Sequence, residues 1–169
     1  MANIKVLDSN EVNKVAQDIF KDFESHTGSV PEWVKVMAHQ PEILKAFNEL
    51  FKTIMNQGEV ESYLKWKIAY VVSETLKCKF CVSVTTHMLK KLGITDELLK
   101  KIKDSQDAEE KPILSLVKDM TINGQLNNPE IFDKLKKHLT EPQMVEIVSV
   151  IGLFNYINRF NNAFIILPV

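Results

Sequence analysis

Apolar residues recur along the chain at intervals of three and four, and no stretch alternates with period two between turn signals, so the pattern predicts an all-α fold. Asp8 with Glu11 reads as a capping box for a first helix, which buries Val12, Val15, Ile19, Phe20 and Phe23 and stops before Gly28. Pro31 opens a short second helix with Trp33, Val34 and Met37. Pro41 opens a third, lined by Leu44, Phe47, Leu50, Phe51, Ile54 and Met55 and ended by Gly58. A fourth runs through Ile68, Ala69, Val71 and Val72 to Thr75.

The fifth helix begins near Cys78, carries Val82, Thr85, Met88, Leu89 and Leu92, and closes at Gly93. Thr95 is the expected N-cap of a sixth, with Ile94 and Leu99 as a hydrophobic staple. The charged segment Lys103 to Lys111 reads as a linker within one domain spanning residues 1–169. Pro112 then leads Ile113, Leu114, Leu116, Val117 and Met120 to Gly124, and Asn128-Pro129 opens the next helix. Thr140 and Gln143 form a capping box for a helix from Glu141 to Asn162, apolar on nearly every side, which predicts a central buried position.

At 169 residues and 45% apolar content, the chain is long enough to bury one core without cross-links. Lys+Arg total 21 against 22 Asp+Glu, so no basic excess is present to neutralise phosphates, and nucleic acid is not an expected partner. The Lys-Lys pairs at 90/91, 100/101 and 136/137 fall on the wet faces of the helices. The N-terminal residues lack an apolar signal-peptide core, which makes the cytoplasm the expected location. The longest apolar stretch, Met144 to Phe160, is broken by Glu146, Ser149, Asn155, Asn158 and Arg159 and falls short of the ~20 apolar residues of a membrane span.

The two cysteines are too few for a disulfide framework, so their spacing carries the chemistry. In Cys78-Lys79-Phe80-Cys81 the thiols are ~300° apart around a helix, on one face, where they can exchange between dithiol and disulfide. A helix starting near Leu76 or Lys77 would set them against its unpaired N–H groups, with Lys77 and Lys79 adding positive charge that favours thiolate. Two alternatives stand beside this. Cysteines at this spacing can be plain core residues. They could also ligate zinc with His87, the fourth ligand then coming from His26, His39 or His138.

Ile68-Ala69-Tyr70-Val71-Val72-Ser73 followed by Cys78-Lys79-Phe80-Cys81 resembles a segment of the alkylhydroperoxidase D-like (AhpD-like) branch of the carboxymuconolactone decarboxylase superfamily. Gly28-Ser29-Val30-Pro31 with Ala38-His39-Gln40-Pro41 resembles that family's opening, and Phe154-Asn155-Tyr156-Ile157-Asn158-Arg159 its closing helix, so the likeness covers about residues 28–162. The resemblance implies an all-helical, single-domain bundle that assembles as a trimer or hexamer. It implies a thiol peroxidase or disulfide reductase with Cys81 peroxidatic and Cys78 resolving. The substrate would be a hydroperoxide or disulfide and the partner a dithiol electron-donor protein, with no cofactor, metal or membrane involved.

The family's proton relay, a Glu twelve residues before the first Cys and a His four after the second, is missing: Trp66 and Thr85 occupy those positions. Neither is a base, so slow turnover is expected, a positioned acid or base being worth roughly 10²–10⁴ in rate. Glu74, on a row Trp66, Tyr70, Glu74, Cys78 if the helix is continuous, is the preferred replacement. His87 lies ~120° around the helix from Cys81 and would serve it only if redirected. Thr85 is expected to bond back to its own helix rather than to sulfur. Arg159, the one arginine, suggests a fork held by a buried carboxylate or a subunit contact. The tail Phe164 to Val169 is apolar enough to need cover from the core or a sister subunit. A degenerate member acting as redox sensor or oligomeric binding protein is the alternative function. Decarboxylation is disfavoured, because that branch does not rely on a cysteine pair and no cationic carboxylate clamp is visible.

Overall fold

Every residue from Lys65 to Ser73 is buried, which makes helix α4 (Ser62–Thr75) the axis of the molecule. The computed structural model describes residues 2–56, 58–102, 105 and 107–168. Around α4 are α1 (Lys14–Thr27), α2 (Glu32–Met37), α3 (Pro41–Asn56), α5 (Lys79–Lys91), α6 (Asp96–Lys101), α7 (Glu110–Asn123), α8 (Glu130–Leu135) and α9 (Glu141–Ala163). Among the described residues there is no strand, and the all-α, single-domain expectation holds. Helix α4 packs against α5, α7 and α9, while α1 and α3 pair beside it. One cluster of buried side chains runs through the whole bundle, from Phe20 and Leu44 to Ile147 and Ile151.

Several boundaries follow the sequence signals closely. Gly28 and Gly124 take left-handed conformations at the ends of α1 and α7. Thr140 and Gln143 make both halves of their capping box, and the Thr95 hydroxyl accepts from the Leu98 N–H. The first helix, however, starts at Lys14, not at Asp8. Glu11 does accept the Asp8 N–H at 3.1 Å, but the Asp8 carboxylate is engaged by Lys35, and Asn13 caps the helix through the Ala16 N–H at 3.1 Å. Helix α7 begins two residues before Pro112, because Asp107 accepts the N–H groups of Glu109 and Glu110 at 2.9 and 3.0 Å. Those bonds hold its carboxyl below the usual Asp range. Lys103, Asp104 and Gln106 of the expected linker lie outside the described residues, as does Val169 of the tail.

Helix α9 is not buried all round. Val145, Gly152 and Tyr156 lie on an open face, Val145 at 67% exposure. Gly152 and Tyr156, with Ile43, Phe47 and Leu50 of α3, border an apolar groove of about 690 Å³. The tail is partly covered: Ile166 is buried and Phe164 packs edge-on against Phe160, while Ile165 and Leu167 face out.

Two lysines of α4 are buried, which their charge alone does not announce. Lys65 pairs with Glu146 of α9 and donates to the Ile54 carbonyl at 2.7 Å. Glu146 also accepts the N–H groups of Glu59 and Val60, locking the α3–α4 loop to α9. Lys67 pairs with Glu110 of α7 and lies over the Tyr63 ring. Among the described residues no helix is long and apolar enough to cross a membrane.

Candidate functional site

The site begins with the way α4 ends. Lys77 takes a left-handed conformation, φ 55°, where glycine is the usual occupant. The Cys78 N–H then reaches the Ser73 carbonyl at 3.2 Å and the Lys77 N–H the Glu74 carbonyl at 3.3 Å, the paired bonds of a Schellman reversal. Asn162 of α9 donates to the Leu76 carbonyl at 3.0 Å, satisfying another group left open at that helix end.

Cys78 thus closes one helix and opens the next. It is the N-cap of α5, and its Sγ accepts the Cys81 N–H at 3.3 Å, as a Ser or Asp oxygen would. The expected start near Leu76 or Lys77 is corrected to Lys79, yet both sulfurs still sit in the first turn, at the positive end of the helix dipole. Cys78 and Cys81 are joined as a disulfide, with Cα atoms 5.3 Å apart. Cys78 is 0% and Cys81 4% exposed.

The reversal at Lys77 breaks the row Trp66, Tyr70, Glu74, Cys78, so helical periodicity does not carry Glu74 to the sulfur. Glu74 is half-buried on the last turn of α4. His87 is on the exposed side of α5 while Cys81 is on its buried side, so the structure does not bring those two together within the chain. Trp66 is buried between the rings of Phe51 and Phe154. Thr85, fully buried, donates to the Cys81 carbonyl at 2.8 Å, the back-bond expected of it. Among the described residues no group of three or more His, Cys, Asp and Glu could hold a metal ion.

Of the two partners expected for Arg159, a buried carboxylate is not found within the chain. Its fork takes the Thr121 carbonyl at 3.1 Å, the Asn155 carbonyl at 3.2 Å and the Asn155 side-chain oxygen, joining α9 to the end of α7 through neutral oxygens and not a carboxylate.

The residue against the disulfide that sequence reasoning missed is Asn161. It is 1% exposed, and its Nδ2 donates to Cys81 Sγ at 3.3 Å. Among the described residues its Oδ1 has no hydrogen-bond partner, and neither has the Oδ1 of buried Asn158 one turn earlier. The available signal was a pair of amides, Asn158 and Asn161, in register with the apolar positions Phe154 and Ile157 of the inward stripe of α9; a buried amide needs a reason to be there.

No family model matches the chain. An uncharacterized protein, YdfG of Bacillus subtilis (strain 168), is 26% identical over 129 residues, covering 73% of this chain and 87% of that protein. An uncharacterized peroxidase-related protein from Ralstonia eutropha JMP134, described as an alkylhydroperoxidase AhpD core, superposes with a TM-score of 0.88 at 16% identity over 99% of this chain and 92% of that one. The debrominase Bmp8, solved in complex with 2,3,4-tribromopyrrole, superposes at 0.81 with 22% identity over 97% and 91%. With its cysteine pair at the start of α5 and α4 and α9 packed together beside it, the chain has the alkylhydroperoxidase AhpD-core fold.

Proposed function

We propose that this protein is an AhpD-like antioxidant dithiol enzyme that reduces hydroperoxides or disulfides through Cys78 and Cys81. The observation that carries this reading is the disulfide at the N-terminus of α5, where Cys78 Sγ already accepts the Cys81 N–H. The same N–H groups that cap the helix favour anionic sulfur once the bond is reduced.

The chemistry balances with one external dithiol per turnover. Cys81 thiolate attacks the terminal oxygen of ROOH; the S–O bond forms as O–O breaks, and the departing alkoxide takes a proton to give ROH. Cys78 then attacks the sulfenic sulfur, S–S forms and water leaves. A dithiol donor protein returns two electrons and two protons by thiol–disulfide exchange. Assigning the attack to Cys81 rests on the family resemblance. Because the debrominase Bmp8 shares this fold, a bromopyrrole belongs in the same substrate screen: its reductive debromination would replace C–Br by C–H, release bromide and a proton, and draw its two electrons from the Cys78–Cys81 dithiol as the disulfide forms.

Burial of both sulfurs and the neutral side chains of Trp66 and Thr85 support slow turnover, and with it a second reading as redox sensor or thiol–disulfide exchanger. Glu74 is the candidate proton donor to the alkoxide, so Glu74→Gln should lower kcat, whereas His87→Ala should leave kcat unchanged. A homo-oligomer, trimer or hexamer, in the cytoplasm belongs to the same proposal, with the apolar face of α3 and α9 available for assembly.

The test is steady-state consumption of an alkyl hydroperoxide with a dithiol donor. Turnover in the native protein that is lost in both Cys81→Ser and Cys78→Ser supports the reading; native turnover no faster than the double variant rejects it.

A further inference from the structure

Asn161 and Asn162, adjacent at the end of α9, grip the two sides of the redox turn. Asn162 holds the Leu76 carbonyl where α4 ends, and Asn161 holds Cys81 Sγ on the first turn of α5. Their own backbone is fixed by a second reversal: the Ile166 N–H takes the Asn161 carbonyl at 2.9 Å and the Ile165 N–H the Asn162 carbonyl at 3.3 Å. Ile165 has φ 56° there, a conformation a β-branched residue adopts rarely, so the end of α9 is over-determined by its surroundings.

The Asn161 amide is buried and, among the described residues, half-satisfied. A disulfide sulfur offers lone pairs and no proton, so Nδ2 has a partner and Oδ1 has none. Reduction changes what the sulfur can offer. A thiol can donate to Oδ1, and a thiolate accepts from Nδ2 more strongly than a neutral sulfur does, because charge-assisted hydrogen bonds are roughly twice as strong as neutral ones. Of the charged side chains on the elements around α5, Lys77, Lys79 and His87 are exposed, Arg159 is turned to Thr121 and Asn155, and Glu74 is half-buried at the end of α4.

Building on the dithiol reading above, we infer that Asn161 is a positioning residue for Cys81: its amide holds Sγ in the disulfide and stabilises the Cys81 thiolate after reduction. It supplies a neutral, buried donor in a site whose relay positions carry Trp66 and Thr85. It moves no proton itself, and it favours the thiolate of Cys81 over its thiol.

The inference is tested without peroxide, so it stands or falls separately from the peroxidase reading. In fully reduced protein, the pH dependence of iodoacetamide alkylation at Cys81, resolved from Cys78 by peptide mass spectrometry, gives its pKa. Equilibration in glutathione buffers gives the disulfide potential. Asn161→Leu should raise the Cys81 pKa by about one unit, a tenfold loss of thiolate below the pKa. At a pH above the variant's Cys81 pKa it should also shift the dithiol–disulfide equilibrium toward the disulfide, by up to about tenfold, about 30 mV. Asn161→Asp should raise the pKa further by placing a carboxylate against the sulfur. Asn158→Leu removes an equally buried amide whose Nδ2 bonds the Phe154 carbonyl instead, and should move neither quantity.

Folded Asn161→Leu protein with the native pKa and potential overturns the inference. Should that variant not fold, the native protein decides: the Asn161 side-chain NH₂ resonances should shift with the Cys81 titration midpoint in the reduced state, and resonances flat across that midpoint overturn the inference.

Discussion

The Cys78 N–H bonds the Ser73 carbonyl at 3.2 Å, so the residue that opens α5 is held by the last turn of α4. The cysteine pair is therefore built into the reversal between α4 and α5, with both sulfurs in the core. A change in the turn should be felt as stability, and a change at sulfur as chemistry.

Lys77 pays for that reversal with a left-handed backbone, which costs an L-residue about 1–2 kcal/mol before the entropy of glycine is counted. Lys77→Gly should accordingly stabilise the protein by up to about 1 kcal/mol, read as a higher urea midpoint with an unchanged slope. A lower midpoint would show that the Lys77 side chain contributes more than its backbone costs.

Reducing the disulfide should leave the fold intact. The loop it closes is four residues long, for which chain-entropy arguments give about 2 kcal/mol at most. Urea unfolding with and without excess dithiol should differ by no more than that, and far-ultraviolet circular dichroism of the reduced protein should match the oxidised form.

Glu146 binds the α3–α4 loop, and its loss should be costly. Glu146→Ala leaves Lys65 buried without its carboxylate, a loss of about 3–5 kcal/mol by analogy with broken buried pairs. Gly58 has φ 103°, and an added Cβ would lie 2.2 Å from the Glu146 carboxylate, so Gly58→Ala should destabilise by about 2–3 kcal/mol through the same contact. The double variant should lose less than the sum of the two, measured by denaturant unfolding.

The same residue gives a pH dependence. Burial pushes the Glu146 carboxyl up, but the hydrogen bonds from Lys65 and from the Glu59 and Val60 N–H groups outweigh it and hold the group below the usual Glu range. A depressed folded pKa contributes stability in full above the unfolded value, near 4.3, and that stability is lost as pH falls through the lower folded value. Glu146→Gln should flatten the acid side of a stability–pH curve between about pH 5 and 3, against a native curve that drops there.

Much of this architecture is legible in the chain. Glycine-ended helices, the Thr140–Gln143 box and the stripe of α3 follow from local rules, and they carry the all-α reading. The boundary of α4 at Thr75 follows too, but its left-handed reversal does not, because Lys77 stands where those rules look for glycine; the row Trp66, Tyr70, Glu74, Cys78 requires a continuous helix, and the reversal breaks it. Nor does burial of Lys65 and Lys67 follow, since each depends on a carboxylate distant in sequence, Glu146 and Glu110. Asn161 was hidden for the same reason: its partner, Cys81, is eighty residues away. The cysteine spacing itself was readable, and its helix-terminal placement agrees with the structure to within three residues.

The most direct test of the account is a single turnover. Fully reduced protein, freed of reductant and mixed with one equivalent of an alkyl hydroperoxide, should yield one equivalent of alcohol, lose about two mass units, and show Cys78 linked to Cys81 in its peptide map. Peroxide left unconsumed while both thiols stay reduced would contradict the central claim that this dithiol is a two-electron reductant of hydroperoxides.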